Sequence, residues 1–504
     1  MKRVDYIICF LLGVAALVSR IPFLEKFQSF WDGPQYTIGI VRYSFDQQTP
    51  AAPGYPLFIG LGKFFHIFIQ DPHTSLLAVT VLASITSAIT LYMVGLKMFN
   101  RFVGLAATVI FLTGSTFYFF SIAPHAYDLL ATIVPLLAYS VYRVFIQKKQ
   151  DGLFLGFITG LLVALRPQEI ILVGPLFLLG FLALTTQEKV KTSIAFILVS
   201  LSWFVPVVLA VSFTGYFTES IAIAKMSVSS GSILQHLDTM IKGFLLSFGV
   251  APLFLIFFAS KHKQIKKMLA KQDKILIFYS AWILPGFLYN FLLRSDAVGY
   301  QFSYLIAILF FISYAIWQST KKKKFLYFTS LICIALFNLF WFFYDRDPTF
   351  TKPYRTVSYH YSEVRKNDIK FGGKVTFIQR HFDPKTTLVI PSTDYWRQYM
   401  YYLKNYHIVS PSGLTTNESR FIHKEYYAYD WDMSEVNDKN ISIAIPNYIK
   451  TVIFTDDDAH LWVADYPNKV YNLPGNSIIT SIKISPGAYL RYNFHYIKIA
   501  HKQN

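Results

Sequence analysis

Apolar residues run in stretches of about 20, the length an α-helix needs to cross a hydrocarbon core. They recur from residue 6 to residue 344 and then stop. They predict membrane helices at 6–24, 76–96, 102–122, 128–146, 153–165, 169–185, 193–213, 241–260, 275–293, 300–318 and 325–344, eleven crossings in all. One further run, Gly54 to Ile69, is apolar but short and is interrupted by Lys63 and His66, which fits a juxtamembrane or re-entrant helix. Between 153–165 and 169–185 the chain reads Arg166-Pro167-Gln168; proline cannot continue a helix, so the two short halves form a hairpin with its turn there. From residue 345 the pattern changes to short apolar runs such as Thr387-Leu388-Val389-Ile390 and Thr451-Val452-Ile453-Phe454, bounded by turn residues. Residues 394–404 read as helix, and Leu490, Tyr492, Phe494 and Tyr496 alternate as one half-buried strand does. The fold class expected is a polytopic α-helical membrane domain, 1–344, followed by a soluble α/β domain, 345–504.

Composition supports a bilayer as solvent: 54% of the 504 residues are hydrophobic and only 15% charged, against about 25% charged in soluble domains. The net charge of +18 does not point to nucleic acid, because the basic residues sit in short connectors between apolar runs. Those connectors fix a topology. Lys2, Arg3, Lys97, Arg101, Arg143, Lys148, Lys149, Lys189, Lys191, the lysines from Lys261 to Lys274 and Lys321 to Lys324 fall on one side only if 54–69 does not cross and 153–185 is a hairpin. By the positive-inside rule that side is the cytoplasm. A multi-pass protein of the cell membrane follows, with its N-terminus cytoplasmic and its C-terminal domain extracytoplasmic. Met1-Lys2-Arg3 and the apolar run behind it resemble a signal peptide, but Ser19-Arg20-Ile21-Pro22 offers no small-residue cleavage site, so the segment reads as an uncleaved first helix. Cys9 and Cys333 lie inside predicted helices and form no disulfide framework.

This topology gives the first external loop, Ser29-Phe30-Trp31-Asp32-Gly33-Pro34-Gln35-Tyr36 onward to Arg42 and Asp46, a carboxylate at the membrane surface flanked by aromatics. Partial desolvation raises a carboxyl pKa toward the range useful to a general base; an Asp before Gly-Pro is also an ordinary turn residue. Arg166 and Glu169 are ionisable at membrane depth, where they either pair to fix the hairpin or serve a ligand. A guanidinium grips phosphate oxygens bidentately, which makes Arg166 the first candidate for a phosphate contact, with Arg42 and Arg294 next. His125 and Asp128 close the second external loop, and Asp128 also stands where it would cap the next helix. The twelve histidines show no metal-ligand spacing, so no metal site and no required cofactor are expected, and Asp456-Asp457-Asp458 reads as a solvated turn.

Asp32, Tyr36 four residues on, and Pro53-Gly54-Tyr55-Pro56-Leu57 opening a juxtamembrane helix resemble the GT-C superfamily of membrane glycosyltransferases, within it the family 39 group of protein O-mannosyltransferases and the aminoarabinose transferase of lipid A. The stretch Phe117 to Asp128, Arg166-Pro167-Gln168 and Gly299-Tyr300 extend the resemblance to about residue 318. It implies a polyprenyl-phosphate-linked sugar donor, inversion at the anomeric carbon, and a lipid, glycan or protein acceptor outside the cytoplasm. It also implies that Asp32 is the catalytic carboxylate and that Tyr36, His125, Asp128, Gln168 and Tyr300 line the sugar or acceptor site. Two departures stand out: Thr49-Pro50-Ala51-Ala52 replaces a stretch in which many relatives carry a lysine, and Gly33 follows Asp32 where the mannosyltransferases carry a second acid. Two other readings remain at this stage, a transporter or flippase of lipid-linked sugars with an extracytoplasmic sensor domain, and a glycan ligase or polymerase using a diphosphate carrier.

Overall fold

The computed structural model describes residues 2–30, 32–45, 49–228, 232–259, 273–293, 298–321, 323–344, 359–391, 396–409, 435–436, 440–463, 465–493 and 496–501. The chain divides into two compact units. The first takes Met1–Leu24, Ala51–Asp345 and Val357–Tyr361; the second includes Glu25–Pro50 and Ser362–Asn504, so the first loop belongs with the C-terminal residues.

The helices of the first unit are α1 (Arg3–Arg20), then, after α2 (Asp32–Val41) of the second unit, α3 (Pro56–His66), α4 (Pro72–Met98), α5 (Arg101–Thr113), α6 (Ser115–Phe120), α7 (Tyr127–Val141), α8 (Gly152–Leu165), α9 (Glu169–Leu182), α10 (Thr186–Val211), α11 (Phe213–Val228), α12 (Ile233–Phe248), α13 (Leu253–Ala259), α14 (Asp273–Leu292), α15 (Phe302–Thr320) and α16 (Lys324–Phe343). Among the described residues, seven segments are long and apolar enough to span a membrane: Arg3–Phe23, Pro72–Met98, Tyr127–Ile146, Thr186–Val211, Asp273–Leu292, Val298–Thr320 and Lys324–Phe343. Each of the eleven apolar stretches of the sequence is helical, and 54–69 is the short helix α3.

Two stretches expected to be single spans are broken, and in each a neighbouring backbone or side chain explains the break. The first splits at Gly114, where a Cβ would collide with the carbonyl of Ser247 on α12. The second splits after α12 at Gly249, whose φ of +55° leaves the helical path and favours glycine, and where a Cβ would meet Asn338 Oδ1. Helix α11 occupies a stretch that the apolar pattern leaves as a connector.

Close crossings of small residues hold the bundle together, as expected where lipid removes the hydrophobic drive between helices. Gly152, Gly156 and Gly160 make one stripe of α8, and each lies so near α10 that a Cβ would strike Glu188, Thr192 or Val199. Ends that the charge pattern assigns to one side also meet: Asp5 accepts hydrogen bonds from Tyr92 (2.9 Å) and Arg101 (2.8 Å). Arg143 pairs with Asp151 at 2.5 Å, and Glu188 accepts the Gly152 N–H at 2.9 Å. The opposite end of α1 meets the ends of α5 and α6, where Arg20 donates to the Leu112 carbonyl at 2.8 Å and lies over the Tyr118 ring.

The second unit builds on α17 (Tyr361–His381). Strands β1 (Thr387–Ile390), β2 (His407–Ile408) and β5 (Thr451–Phe454) are parallel; β7 (Ser477–Lys483) and β6 (Asn468–Leu473) continue the sheet antiparallel in the order β2-β1-β5-β7-β6. Helices α18 (Trp396–Tyr402) and α19 (Ala459–Trp462) follow β1 and β5. Val375 and Ile378 of α17, Leu388, Val389, Tyr399, Ile453 and Ile479 form a common buried core. A second antiparallel sheet runs β3 (Glu435–Val436), β4 (Asn440–Ala444), β8 (Ala488–Asn493), β9 (Tyr496–His501). The alternation of Leu490, Tyr492 and Tyr496 therefore belongs to two strands of a hairpin, not one, and Phe494 lies outside the described residues.

Candidate active site

Arg166 ends α8 in an extended conformation (φ −149°, ψ 100°), the geometry that the following proline imposes on its neighbour. Pro167 and Gln168 complete the turn, and α9 starts at Glu169, as the hairpin reading requires. Arg166 and Glu169 are both fully buried and form an ion pair between Nη1 and Oε1, while Glu169 Oε2 accepts the Ser303 hydroxyl from the start of α15. The pair does not exhaust the guanidinium. Its carbon lies 5.0 Å from the Tyr127 ring centroid and 4.9 Å from that of Tyr300, two aromatic faces that stabilise a cation without occupying its N–H groups. Arg166 Nε has no hydrogen-bond partner among the described residues. Tyr55, from the Pro53-Gly54-Tyr55-Pro56 element, is within electrostatic reach of Arg166.

Further polar groups of this unit stand at helix ends. Tyr300 lies in the turn Val298–Gln301 that opens α15, and Gly299 beside it leaves room for the Tyr127 ring, which a Cβ would overlap. His125 is fully buried and stacks on Tyr127 with centroids 5.5 Å apart. Asp128 is also fully buried, and its two carboxyl oxygens have no hydrogen-bond partner among the described residues. Asp128 lies in the first turn of α7, near the positive end of its dipole as expected, while Ala126 occupies the cap position and no side-chain cap hydrogen bond forms. Instead Asp128 interacts electrostatically with Arg20, itself fully buried. Gln168 is half-buried, and its carbonyl oxygen is without a partner among the described residues.

The first unit thus sets Tyr300 beside Arg166, with Gln168 next to it in the turn and His125 joined through Tyr127, and sets Asp128 against Arg20; Tyr55, Tyr127, Ser303 and Arg20 are added to the sequence-derived set. Arg20 had a signal, a charge at the end of an apolar run, that served only to judge cleavage. Ser303 had none, since its contact with Glu169 crosses 134 residues of sequence.

Asp32, Tyr36 and Arg42 belong to the second unit. Asp32 opens α2 half-buried, with Tyr36 buried one turn further on the same face and Arg42 exposed just past the helix end. Gly33 sits against Gln28, whose amide donates to Thr37 at 2.6 Å, and Thr37 in turn donates to the Gly33 carbonyl. Arg294 lies outside the described residues. Asp457 of the Asp456-Asp457-Asp458 turn pairs with Lys374 at 2.7 Å and accepts the Ile478 N–H at 2.8 Å. Among the described residues no group of three or more His, Cys, Asp or Glu is placed to hold a metal ion.

Residues 50–210 match the family model of dolichyl-phosphate-mannose-protein mannosyltransferases. The structure is similar to that of ArnT from Cupriavidus metallidurans, both bound to undecaprenyl phosphate (TM-score 0.61, 12% identity, covering 95% of this chain and 98% of that one) and in the apo state (TM-score 0.61, 13% identity, 94% and 97%). It is also similar to the apo oligosaccharyltransferase of Archaeoglobus fulgidus (TM-score 0.52, 10% identity, 90% of this chain and 70% of that one). No curated protein matches the sequence. The chain has the fold of the GT-C membrane glycosyltransferases, as its first-loop pattern leads one to expect.

Proposed function

We propose that this protein is an inverting membrane glycosyltransferase that moves one sugar from a polyprenyl phosphate to a lipid, glycan or protein acceptor at the extracytoplasmic face of the cell membrane. The observation that carries the reading is Arg166: a fully buried guanidinium between two tyrosine rings, with Nε unspent, in a fold whose similar structure from Cupriavidus metallidurans holds undecaprenyl phosphate. A buried cation with a free donor is costly unless a ligand completes it, and a phosphate does so with charge-assisted hydrogen bonds.

In this mechanism the Asp32 carboxylate takes the proton from the acceptor hydroxyl as its oxygen attacks the anomeric carbon. The new C–O bond forms while the bond from that carbon to the phosphate oxygen breaks, and polyprenyl phosphate leaves with the bonding pair. A phosphate leaving group needs charge stabilisation and no proton, so one carboxylate and nearby cations suffice. Arg166 is assigned that charge, with Arg42 and Arg294 as further cations. Glu169 and Ser303 hold Arg166 in place. Tyr36, His125, Asp128, Gln168 and Tyr300 are assigned to the sugar or acceptor, for which unpaired carboxyl and amide oxygens are suited as acceptors of sugar hydroxyls.

A transporter would carry its ionisable groups near the middle of spans. Here Arg20, Asp128, Arg166 and Glu169 stand at helix ends, which favours chemistry at a surface. The test is release of undecaprenyl phosphate by purified protein from a panel of undecaprenyl-phosphate-linked hexoses and pentoses, with envelope extract as acceptor. Asp32→Asn is expected to abolish release while the protein stays folded. Undiminished release by that variant would remove the proposed base.

A further inference from the structure

The segment leading into α2 has almost no regular structure of its own, and its backbone is satisfied instead by side chains of α17 and α18. The N–H groups of Lys26 (3.1 Å) and Phe27 (2.9 Å) donate to the carboxylate of Asp368. Gln28 N–H donates to the Tyr402 hydroxyl at 3.0 Å, and the carbonyls of Phe27 and Gln28 accept from the Asn367 amide at 2.9 and 3.2 Å. Three donors and two acceptors in consecutive residues are thus met by three side chains, which is more than chance contact of an exposed loop supplies. The Phe27 ring completes the attachment, packed on Phe371 (6.0 Å between centroids) and Tyr402 (5.1 Å), where Gly372 leaves it space. The connection continues into α2, since Gln28 donates to Thr37, and Thr37 to Gly33, the residue after Asp32.

We infer that Asp368, Asn367 and Tyr402 are positioning residues for the Asp32 helix: the C-terminal unit fixes residues 26–28, and through Gln28 and Thr37 it fixes where the reacting carboxylate stands. The role rests on the reading of Asp32 as general base. A base held to within a fraction of an ångström keeps its rate, and a displacement of about 1 Å costs roughly a hundredfold. Substitution here therefore acts first on the turnover step and less on donor binding, because Arg166, the main cation assigned to the donor, belongs to the other unit, while Tyr36 and Arg42 ride on α2 or just past it.

The experiment uses the full-length protein and the donor of the panel that turns over. Asp368→Ala is expected to lower kcat about ten- to hundredfold with a smaller rise in donor KM, and to speed hydrogen exchange at residues 26–41. Asp368→Asn keeps an oxygen acceptor in the same place and is expected to restore most of kcat. Should Asp368→Ala fail to fold, Tyr402→Phe removes only the acceptor for Gln28 and is expected to give the same pattern at smaller size. Faster exchange with unchanged kcat would overturn the positioning role, and so would unchanged exchange in both Asp368→Ala and Tyr402→Phe. Loss of the base assignment is separately visible: Asp32→Asn would then turn over normally, while exchange at 26–41 would still report the attachment.

Discussion

Arg166 is the residue to which the proposed chemistry assigns the donor phosphate, and its environment decides what a substitution does. Lysine at this position keeps one charge but loses the planar fork and its stacking between Tyr127 and Tyr300. Arg166→Lys is therefore expected to weaken donor handling by about 1.5–3 kcal/mol, the worth of a charge-assisted hydrogen bond, read as a ten- to hundredfold fall in kcat/KM for the lipid-linked sugar. Asp368 supplies a pH dependence. Burial and the nearby Glu25 push its carboxyl up to about 7, although the Phe27 and Lys26 N–H groups pull the other way. The native state thus holds a proton that the unfolded chain, with a carboxyl near its ordinary value, releases. Stability from this group is complete at low pH and is lost as pH rises from about 4 through 7, levelling off above. Opening of amides 26–28, corrected for intrinsic exchange, is expected to become easier across that window in the native protein and to lose the dependence in Asp368→Asn. Arg166 and Glu169 were legible from sequence because charge at membrane depth is rare enough to be noticed, and Tyr300 only through the family resemblance of Gly299-Tyr300. Ser303 and Asp368 were not, because an ordinary serine or aspartate acquires its meaning only from a partner hundreds of residues away.

Helices were legible for a simple reason: a bilayer demands uninterrupted apolar length, and length is visible in a sequence. Their interruptions at Gly114 and Gly249 were not, since each depends on the approach of Ser247 or Asn338 from another helix. The stripe Gly152, Gly156, Gly160 gives the clearest prediction at this scale. Gly156→Leu places a side chain where the Thr192 carbonyl lies, and is expected to separate α8 from α10 and reduce the yield of monodisperse protein in detergent. Gly299→Ala is gentler and more informative. Its methyl group would displace the Tyr127 ring from Arg166, so turnover is expected to fall, with a modest drop in melting temperature from the overpacked ring and a size-exclusion profile like that of the native protein.

Over the whole molecule, alternation of lysine-rich and lysine-poor connectors predicted which helix ends meet, and the contacts of Asp5 with Arg101 and of Gly152 with Glu188 agree with it. The alliance of the first loop with the C-terminal residues was invisible, because the signals of this 26-residue stretch concern its chemistry and none tells where it docks. A chain ending at Tyr344 is therefore expected to keep the helical bundle, by circular dichroism, yet to lose turnover, because nothing remains to hold Lys26 to Gln28. The same arrangement sets a timetable for biosynthesis. Phe27 and Asp368 are 341 residues apart, and at roughly 5–20 residues per second a ribosome needs about 20 to 70 seconds to deliver the second after the first. For that interval Phe27 and the face of α2 that carries Tyr36 lack the side chains of α17 and α18 that later cover and hold them, so this part of the loop reaches its final place only after translation has passed Tyr402.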